Sequence, residues 1–326
     1  MAVSALLSAA GARAESEAES PKGAAPAAAP DRTADEVDAF LAGYAPPSVD
    51  GPALRLPFSP KRLYLDASYG RVNDLSSLPI VQGAATNYRL AAGGSWRWGR
   101  LALTGELPFL QITPVTFTQI NNEVPNPADV HETAVSIGDL RAGIDWTAHL
   151  TDALVGGFGL RARLPTHTSH FTFHQMSGTA EYVLPYYFHV EPTAILGAAF
   201  GRFTFVVNQG GIVILGPDGD YLDFHIHVPT LVLWDAAYAV SWAPLDAFGA
   251  SVELSTDIQL NHVGGLDFTK LNDLRAVTLV PALQWHVAGC RVDLVARFGL
   301  SNGATPLGIL TYAGTTSYTL RVTRAF

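Results

Sequence analysis

The sequence predicts an all-β protein, a transmembrane antiparallel up-and-down β-barrel of about 12 strands. Three observations predict it. Period-two alternation of apolar and polar residues begins near residue 61 and runs to the end. Short and long connections alternate along that stretch. The chain is also very apolar without any helical membrane span. Its 326 residues are 48% hydrophobic and only 15% charged, against a usual charged share of about 25%. No stretch reaches the roughly 18 uninterrupted apolar residues of a membrane helix. Apolarity spread over alternate positions suits strands with lipid on one face and water on the other.

Composition also excludes some partners. The formal net charge is −9 and no basic stripe is visible, which argues against nucleic acid. The single cysteine, Cys290, leaves no disulfide framework and no CxxC metal knuckle. It reads as a lone buried thiol.

The chain opens with AVSALLSAAGARA, small and apolar and ending in an A-x-A cleavage pattern at Ala12-Arg13-Ala14. Residues 1–14 are therefore expected to be an export signal, although the positive charge that should begin one is missing. Either translation starts further upstream or the segment is a flexible tail. Residues 15–60 are expected to form a linker. Its first part, rich in Ala, Pro and Glu, cannot bury a core. Within TADEVDAFLAGY, Val37, Phe40, Leu41 and Tyr44 recur at helical spacing behind Asp35 and Glu36, with Thr33 as a cap. A short amphipathic helix follows from this, serving either as a tether or as a periplasmic plug.

The barrel is expected over residues 61–326. Its strands fall near 61–72, 83–97, 101–113, 133–147, 153–165, 186–199, 203–214, 229–242, 247–260, 273–287, 291–301 and 313–326. KRLYLDASYG puts Leu63, Leu65, Ala67 and Tyr69 on one face. TNYRLAAGGSWRWG sets Tyr88, Leu90 and Trp96 against Arg89, Gly93, Ser95 and Arg97. LALTGELPF sets Leu101, Leu103, Leu107 and Phe109 against Thr104 and Glu106. GASVELSTDIQL sets Val252, Leu254, Ile258 and Leu260 against Ser251, Glu253, Ser255 and Asp257. RVDLVARFGL sets Val292, Leu294 and Phe298 against Arg291, Asp293 and Arg297.

Tight turns are expected near 98–100, 149–153, 200–202, 243–247 and 288–290. Longer polar or Pro-rich loops are expected near 73–82, 114–132, 166–185, 215–228, 261–272 and 302–312. An even strand count puts both termini on the side of the short turns, the periplasmic side of an outer-membrane barrel. One segment breaks phase. In AVSIGDLRAGIDWT, Val135 and Ile137 share parity with Asp139, Arg141 and Asp145, and a slip at Gly138 of the kind a bulge makes restores it.

The end, SYTLRVTRAF, resembles the C-terminal signature of bacterial outer-membrane barrels, which the assembly machinery recognises. Tyr318, Leu320, Val322 and Phe326 fit it, and Arg324 stands where an apolar residue is usual. This implies that removing Phe326 lowers outer-membrane yield more than Arg324→Ala does. Equal yields of the two variants, measured on isolated membranes, would contradict it.

Internal segments resemble the outer-membrane family named for the meta-pathway of phenol degradation. They are TGELPF (104–109), IGDLRAGIDW (137–146), LRARLPT (160–166) and VDLVARFGLSNGATP (292–306). The resemblance implies a passive outer-membrane channel or transporter for small organic solutes, hydrophobic or aromatic ones among them. It offers no catalytic residues. The partners it implies are outer-membrane lipid, lipopolysaccharide, the barrel-assembly machinery and the solute.

By parity the inward faces carry Asp66, Glu106, Asp139, Asp145, Asp235, Glu253, Asp257 and Asp293, in near balance with Arg89, Arg97, Arg141, Arg161, Arg163, Arg291, Arg297 and Arg321. Arginine's planar fork suits fixed ion pairs and anion contacts. Such a lattice either stiffens a filled lumen or lines a polar conduit, and both readings stay open. His167, His170 and His174, with His225 and His227, fall in two long loops, where imidazoles bind Zn²⁺ or Cu²⁺ if the loops converge. The simpler reading is solvated or packed loop residues. GPDGDYLD, with Asp218, Asp220 and Asp223, lacks the twelfth-position Glu of a calcium loop. No metal and no cofactor are expected. Phe117, Phe171, Phe173, Tyr221 and Phe224 give the long loops an aromatic character, suited to gathering a solute, packing the loops or touching lipopolysaccharide.

Two rival functions remain beside the channel: a closed structural or adhesive barrel, and a barrel enzyme acting on lipids. Ser251 and His286 both face inward, but nothing pairs them and no GxSxG occurs. The expectation is therefore that the protein is not an enzyme.

Overall fold

The computed structural model describes residues 61–72, 81–119, 129–166, 170–175, 178–183, 188–215, 218–221, 224–227, 230–261, 275–300 and 315–326. The expected signal, linker and amphipathic helix lie outside these residues, as do His167 and Asp223. The strands are β1 (Arg62–Val72), β2 (Val81–Trp98), β3 (Leu101–Gln119), β4 (Asp129–Ser136), β5 (Leu140–Thr151), β6 (Leu154–Leu164), β7 (His170–Gln175), β8 (Gly178–Val183) and β9 (Phe188–Phe200). They continue with β10 (Phe203–Leu215), β11 (Asp218–Tyr221), β12 (Phe224–His227), β13 (Leu231–Leu245), β14 (Phe248–Gln259), β15 (Arg275–Val287), β16 (Cys290–Gly299) and β17 (Thr315–Ala325).

Each barrel strand pairs antiparallel with its neighbour, in the order β2-β1-β17-β16-β15-β14-β13-β10-β9-β6-β5-β3-β4, and β2 also pairs with β3. The ring therefore closes. β4 and β5 both pair with β3 and count as one wall position, so the barrel has twelve. Closure through the β2–β3 pairing leaves the ring without a free end, as a structure spanning a bilayer requires.

The two ends differ. Tight turns of two residues join β2 to β3, β5 to β6, β9 to β10, β13 to β14 and β15 to β16 at one end. Gly99, Gly201 and Gly289 hold positive φ there, which glycine adopts at no steric cost. Arg62 and Ala325 are partners at that same end, so the first and last barrel strands meet beside the turns. The strand ends that the longer connections join lie at the opposite end.

Alternation becomes an inside and an outside. Leu63, Leu65 and Phe158 are exposed by 61%, 60% and 68% of their surface, a degree expected of chains that face lipid. Aromatic pairs bound this apolar band. Toward the turns lie Trp96–Trp98, Phe203–Trp242 and Phe248–Trp285, with Lys61 over the Trp96 ring. Toward the loops lie Tyr69–Tyr88 and Phe298–Tyr318. The stretch from Tyr88 to Trp96 within β2 matches the roughly 9–11 residues a tilted strand needs to cross a bilayer.

The expected slip at Gly138 has a physical cause. β3 carries an extra residue where Leu90 pairs with Leu110 but Ala91 pairs with Pro108. Pro108 lacks an N–H and sits at this bulge. Across from it the chain leaves the ladder between β4 and β5. Gly138 N donates to Pro108 O at 2.8 Å, and a Cβ on Gly138 would lie 2.7 Å from the Pro108 ring. Val135 and Ile137 thus face outward while Asp139 and Asp145 are buried.

Three readings need correction. Of the segment expected as a loop over 114–132, residues 114–119 and 129–132 are strand, because β3 and β4 continue their pairing to Thr118 and Asp129. The loops at 166–185 and 215–228 contain two hairpins, β7–β8 and β11–β12. Their alternation of aromatic with polar residues, HFTFH and FHIH, is a strand pattern. Cys290 is half-buried rather than buried, since it opens β16 immediately after a turn.

Candidate functional site

The interior is the candidate site, and its organising residue is Glu106 on β3. It is 8% exposed. Arg89 on β2 donates to Oε1, as does Arg141 on β5 at 3.2 Å, and the Tyr64 hydroxyl on β1 donates to Oε2 at 2.8 Å. Arg321 on β17 approaches Oε2 at 3.8 Å while gripping Asp66 with two parallel bonds, Nε to Oδ1 at 2.6 Å and Nη2 to Oδ2 at 2.5 Å. The Arg321 guanidinium also lies 4.0 Å from the Tyr64 ring centroid. One carboxylate thus ties together five consecutive wall positions, including the β1–β17 seam that closes the barrel. Fork-to-carboxylate pairing of this kind is strong and directional.

Gly93 makes the arrangement possible. It pairs with Tyr64 on one side and Glu106 on the other, and any Cβ there would lie 2.3 Å from the Tyr64 ring. The missing side chain lets the tyrosine lie across β2 and reach a carboxylate two strands away.

A second cluster stands toward the loops. Arg163 Nε donates to Asp139 Oδ2 at 2.8 Å, and Thr166 N donates to Asp139 Oδ1 at 3.1 Å. Arg161 faces Glu191 across β6–β9 with a loose approach of 3.9 Å. A third lies toward the turns, where Arg291 Nε donates to Asp293 Oδ1 at 2.7 Å. A fourth gathers acids on the far wall. Asp235 and Asp257 are directly opposed across β13–β14, with Arg297 and Glu191 within electrostatic range of Asp257 and Glu253 buried on β14.

Most of the charged residues expected to line the lumen are buried. Asp66, Glu106, Asp139, Asp145, Asp235, Glu253, Asp257, Asp293, Arg89, Arg291, Arg297 and Arg321 are buried. Arg97 lies at the turn end and donates to Gly99 O at 2.6 Å. Tyr64, Arg62 and Glu191 were missed by sequence reading. Tyr64 shares parity with Asp66, and Glu191 alternates with His189 and Thr193, so parity was the available signal.

The inner wall is uneven. On β9, β10, β13, β14, β15 and β16 most inward positions are buried. Those keeping some access concentrate on β1, β2, β5 and β6, among them Ser68, Asn87, Gly143, Gly157 and Gly159. The side chains of Arg141, Arg161 and Arg163 stay 19%, 15% and 30% accessible. A narrow guanidinium-lined strip therefore runs along β5 and β6.

The catalytic pairing finds no support. Gln284 Nε2 donates to Ser251 Oγ at 3.3 Å. Ser251 pairs with Ala282 on β15, four residues from His286, which is about 13 Å along a strand. Among the described residues no three His, Cys, Asp or Glu side chains gather as a metal site.

No family model matches the chain, and no curated protein matches it. Solved structures do. The chain superposes on the COG4313 outer membrane channel from Pseudomonas putida F1 with a TM-score of 0.51 at 11% identity, over 85% of this chain and 99% of that one. It superposes equally well on the translocator domain of the autotransporter NalP from Neisseria meningitidis, with a TM-score of 0.51 at 12% identity, over 82% of this chain and 89% of that one. The fold is that of a bacterial outer-membrane barrel. At this identity the likeness concerns the fold alone.

Proposed function

We propose that the protein is a passive outer-membrane channel for small organic solutes, hydrophobic or aromatic ones among them, with both chain termini on the periplasmic side. The observation that carries this reading is the strip along β5 and β6, where Arg141, Arg161 and Arg163 keep access while most of the far inner wall is buried. Guanidinium planes accept the face of an aromatic ring as well as a carboxylate, so a narrow path between them favours small flat solutes over bulky hydrated ones. The sequence resemblance to the phenol meta-pathway family and the structural likeness to an outer membrane channel support the same reading. Transport is passive, since no GxxxxGK[ST] loop for a nucleotide is present.

A closed barrel is the second reading, favoured by the burial of inward side chains on β9, β10 and β13 to β16. Uptake of labelled monoaromatics and sugars into liposomes carrying the protein separates the readings. Aromatics entering faster than sugars is the expected result. Sugars entering ahead of aromatics means a general narrow porin, and no entry of either, with silent bilayers at every voltage, means a closed barrel.

A further inference from the structure

The inner wall does not present its two signs of charge equally. The side chains of Arg141, Arg161 and Arg163 keep more access than those of the acids they approach: Glu106, Glu191 and Asp139 keep only 9%, 11% and 4%. Asp66, Asp145, Asp235, Glu253, Asp257 and Asp293 are buried as well. A solute passing along β5 and β6 therefore touches guanidinium rather than carboxylate. The register brings the three arginines together. Arg141 is directly opposed to Arg163 across β5–β6, and Arg161 lies two residues before Arg163 on the same face. Opposed Cα atoms in an antiparallel pair are about 4.5–5.5 Å apart, and same-face neighbours along a strand about 7 Å apart. Like charges so placed repel, and the acids that offset them are shared or distant. Glu106 also accepts from Arg89, and Asp139 also accepts from the Thr166 amide. Glu191 stands 3.9 Å from Arg161, beyond hydrogen-bond length. A guanidinium carries five N–H donors in one plane, so it can take a second anion from the lumen side while keeping its first.

We propose that Arg141, Arg161 and Arg163 form a selectivity site for small flat aromatic anions, single rings that bear a carboxylate or a sulfonate. The inference rests on the channel reading above and narrows its solute class. The anionic group meets the guanidinium forks, a strong and directional contact, while the ring lies against a neighbouring guanidinium plane. A cation of the same shape meets the same accessible charge as repulsion.

Two measurements on the full-length protein test it: the reversal potential of bilayer currents under a KCl gradient, and liposome uptake of labelled benzenesulfonate against benzyltrimethylammonium. Both aromatic ions are permanently charged, so neither leaks through lipid in a neutral form. The reversal potential should have the sign of chloride passing ahead of potassium. Benzenesulfonate should enter about 10-fold faster than benzyltrimethylammonium or more, since one guanidinium at close range already separates opposite charges to that degree. R161Q/R163Q should lower that ratio by about 3-fold or more, and R161K/R163K, which keeps the charges, should restore the reversal potential. R202Q, which changes an exposed arginine at the turn end, should behave as the unaltered chain does. Heat-modifiable gel migration identifies the variants that fold. R161Q alone, whose arginine holds its acid only loosely, carries the test if the double variant does not assemble. Potassium passing as readily as chloride, equal entry of the two aromatic ions, or an undiminished ratio in folded R161Q/R163Q would each overturn the site and leave the channel standing. Silent bilayers with no entry of either ion would overturn the channel reading, and the site with it.

Discussion

Glu106→Ala is expected to lower the unfolding free energy of the barrel by about 3–5 kcal/mol, the usual cost of removing one member of a buried ionic network. The substitution deletes the acceptor of Arg89, Arg141 and the Tyr64 hydroxyl in a single step. It leaves three guanidiniums converging on one region of the inner wall. Asp66 does not compensate them, because Arg321 already occupies both its oxygens. Equilibrium unfolding in urea, in detergent micelles, reads the loss as a lower midpoint at unchanged slope. Glu106→Gln separates charge from shape, since the amide keeps the volume but not the anion. A loss close to that of Glu106→Ala assigns the effect to charge. Tyr64→Phe removes one hydrogen bond and should cost only about 0.5–1.5 kcal/mol. If Glu106→Ala unfolds no more easily than Tyr64→Phe, the carboxylate does not organise the seam.

This cluster marks the boundary of what the sequence discloses. Alternation tells which residues face inward, because lipid on one side and a polar interior on the other leave each strand a single tolerable register. Asp66, Glu106 and Arg321 were therefore legible as inner-wall residues. Their mutual contact was not, for Arg321 and Asp66 are 255 positions apart and meet only because the last strand closes against the first. Gly93 was legible as an inward glycine, but its purpose depends on the Tyr64 ring lying across it, which no local pattern encodes. The turns were legible because Gly-Arg, Asp-Ala or Ala-Gly interrupts the alternation between strands, and the slip at Gly138 because it broke parity. The cause of the slip, the bulge at Pro108 on the neighbouring strand, lies some thirty residues earlier. The hairpins β7–β8 and β11–β12 were overlooked for a different reason. Their alternation was in plain view, but histidine, proline and aspartate content in a long connection suggested loop.

Gly157→Ala should produce the second large effect, through packing rather than charge. Gly157 faces inward on β6 opposite Thr147. A Cβ there would lie 2.1 Å from the carbonyl oxygen of Trp146 and 2.9 Å from Thr147 Cα. Both obstacles are backbone, so no side chain can swing away, and β5 and β6 must shift apart. Overpacking of this sort costs about 1–3 kcal/mol. Gly105 provides the control. It faces outward, and a Cβ there meets nothing closer than the Arg141 carbonyl at 3.8 Å. The same added methyl should be stabilising at that position, by about 0.4–1 kcal/mol, since alanine restricts the unfolded chain. One chemical change thus carries opposite signs on two faces of the wall. Parallel urea midpoints of the two variants measure it, and Gly105→Ala falling as far as Gly157→Ala would mean that strand propensity, not the clash, decides. The position also bears on transport. Arg141 opposes Arg163 and Gly143 opposes Arg161 toward the loops, and Gly159 and Gly157 continue the strip toward the turns, where small residues leave width beyond the guanidiniums. Gly157→Ala in a folded barrel should therefore also lower single-channel conductance, whereas Gly105→Ala, on the lipid face, should leave conductance unchanged.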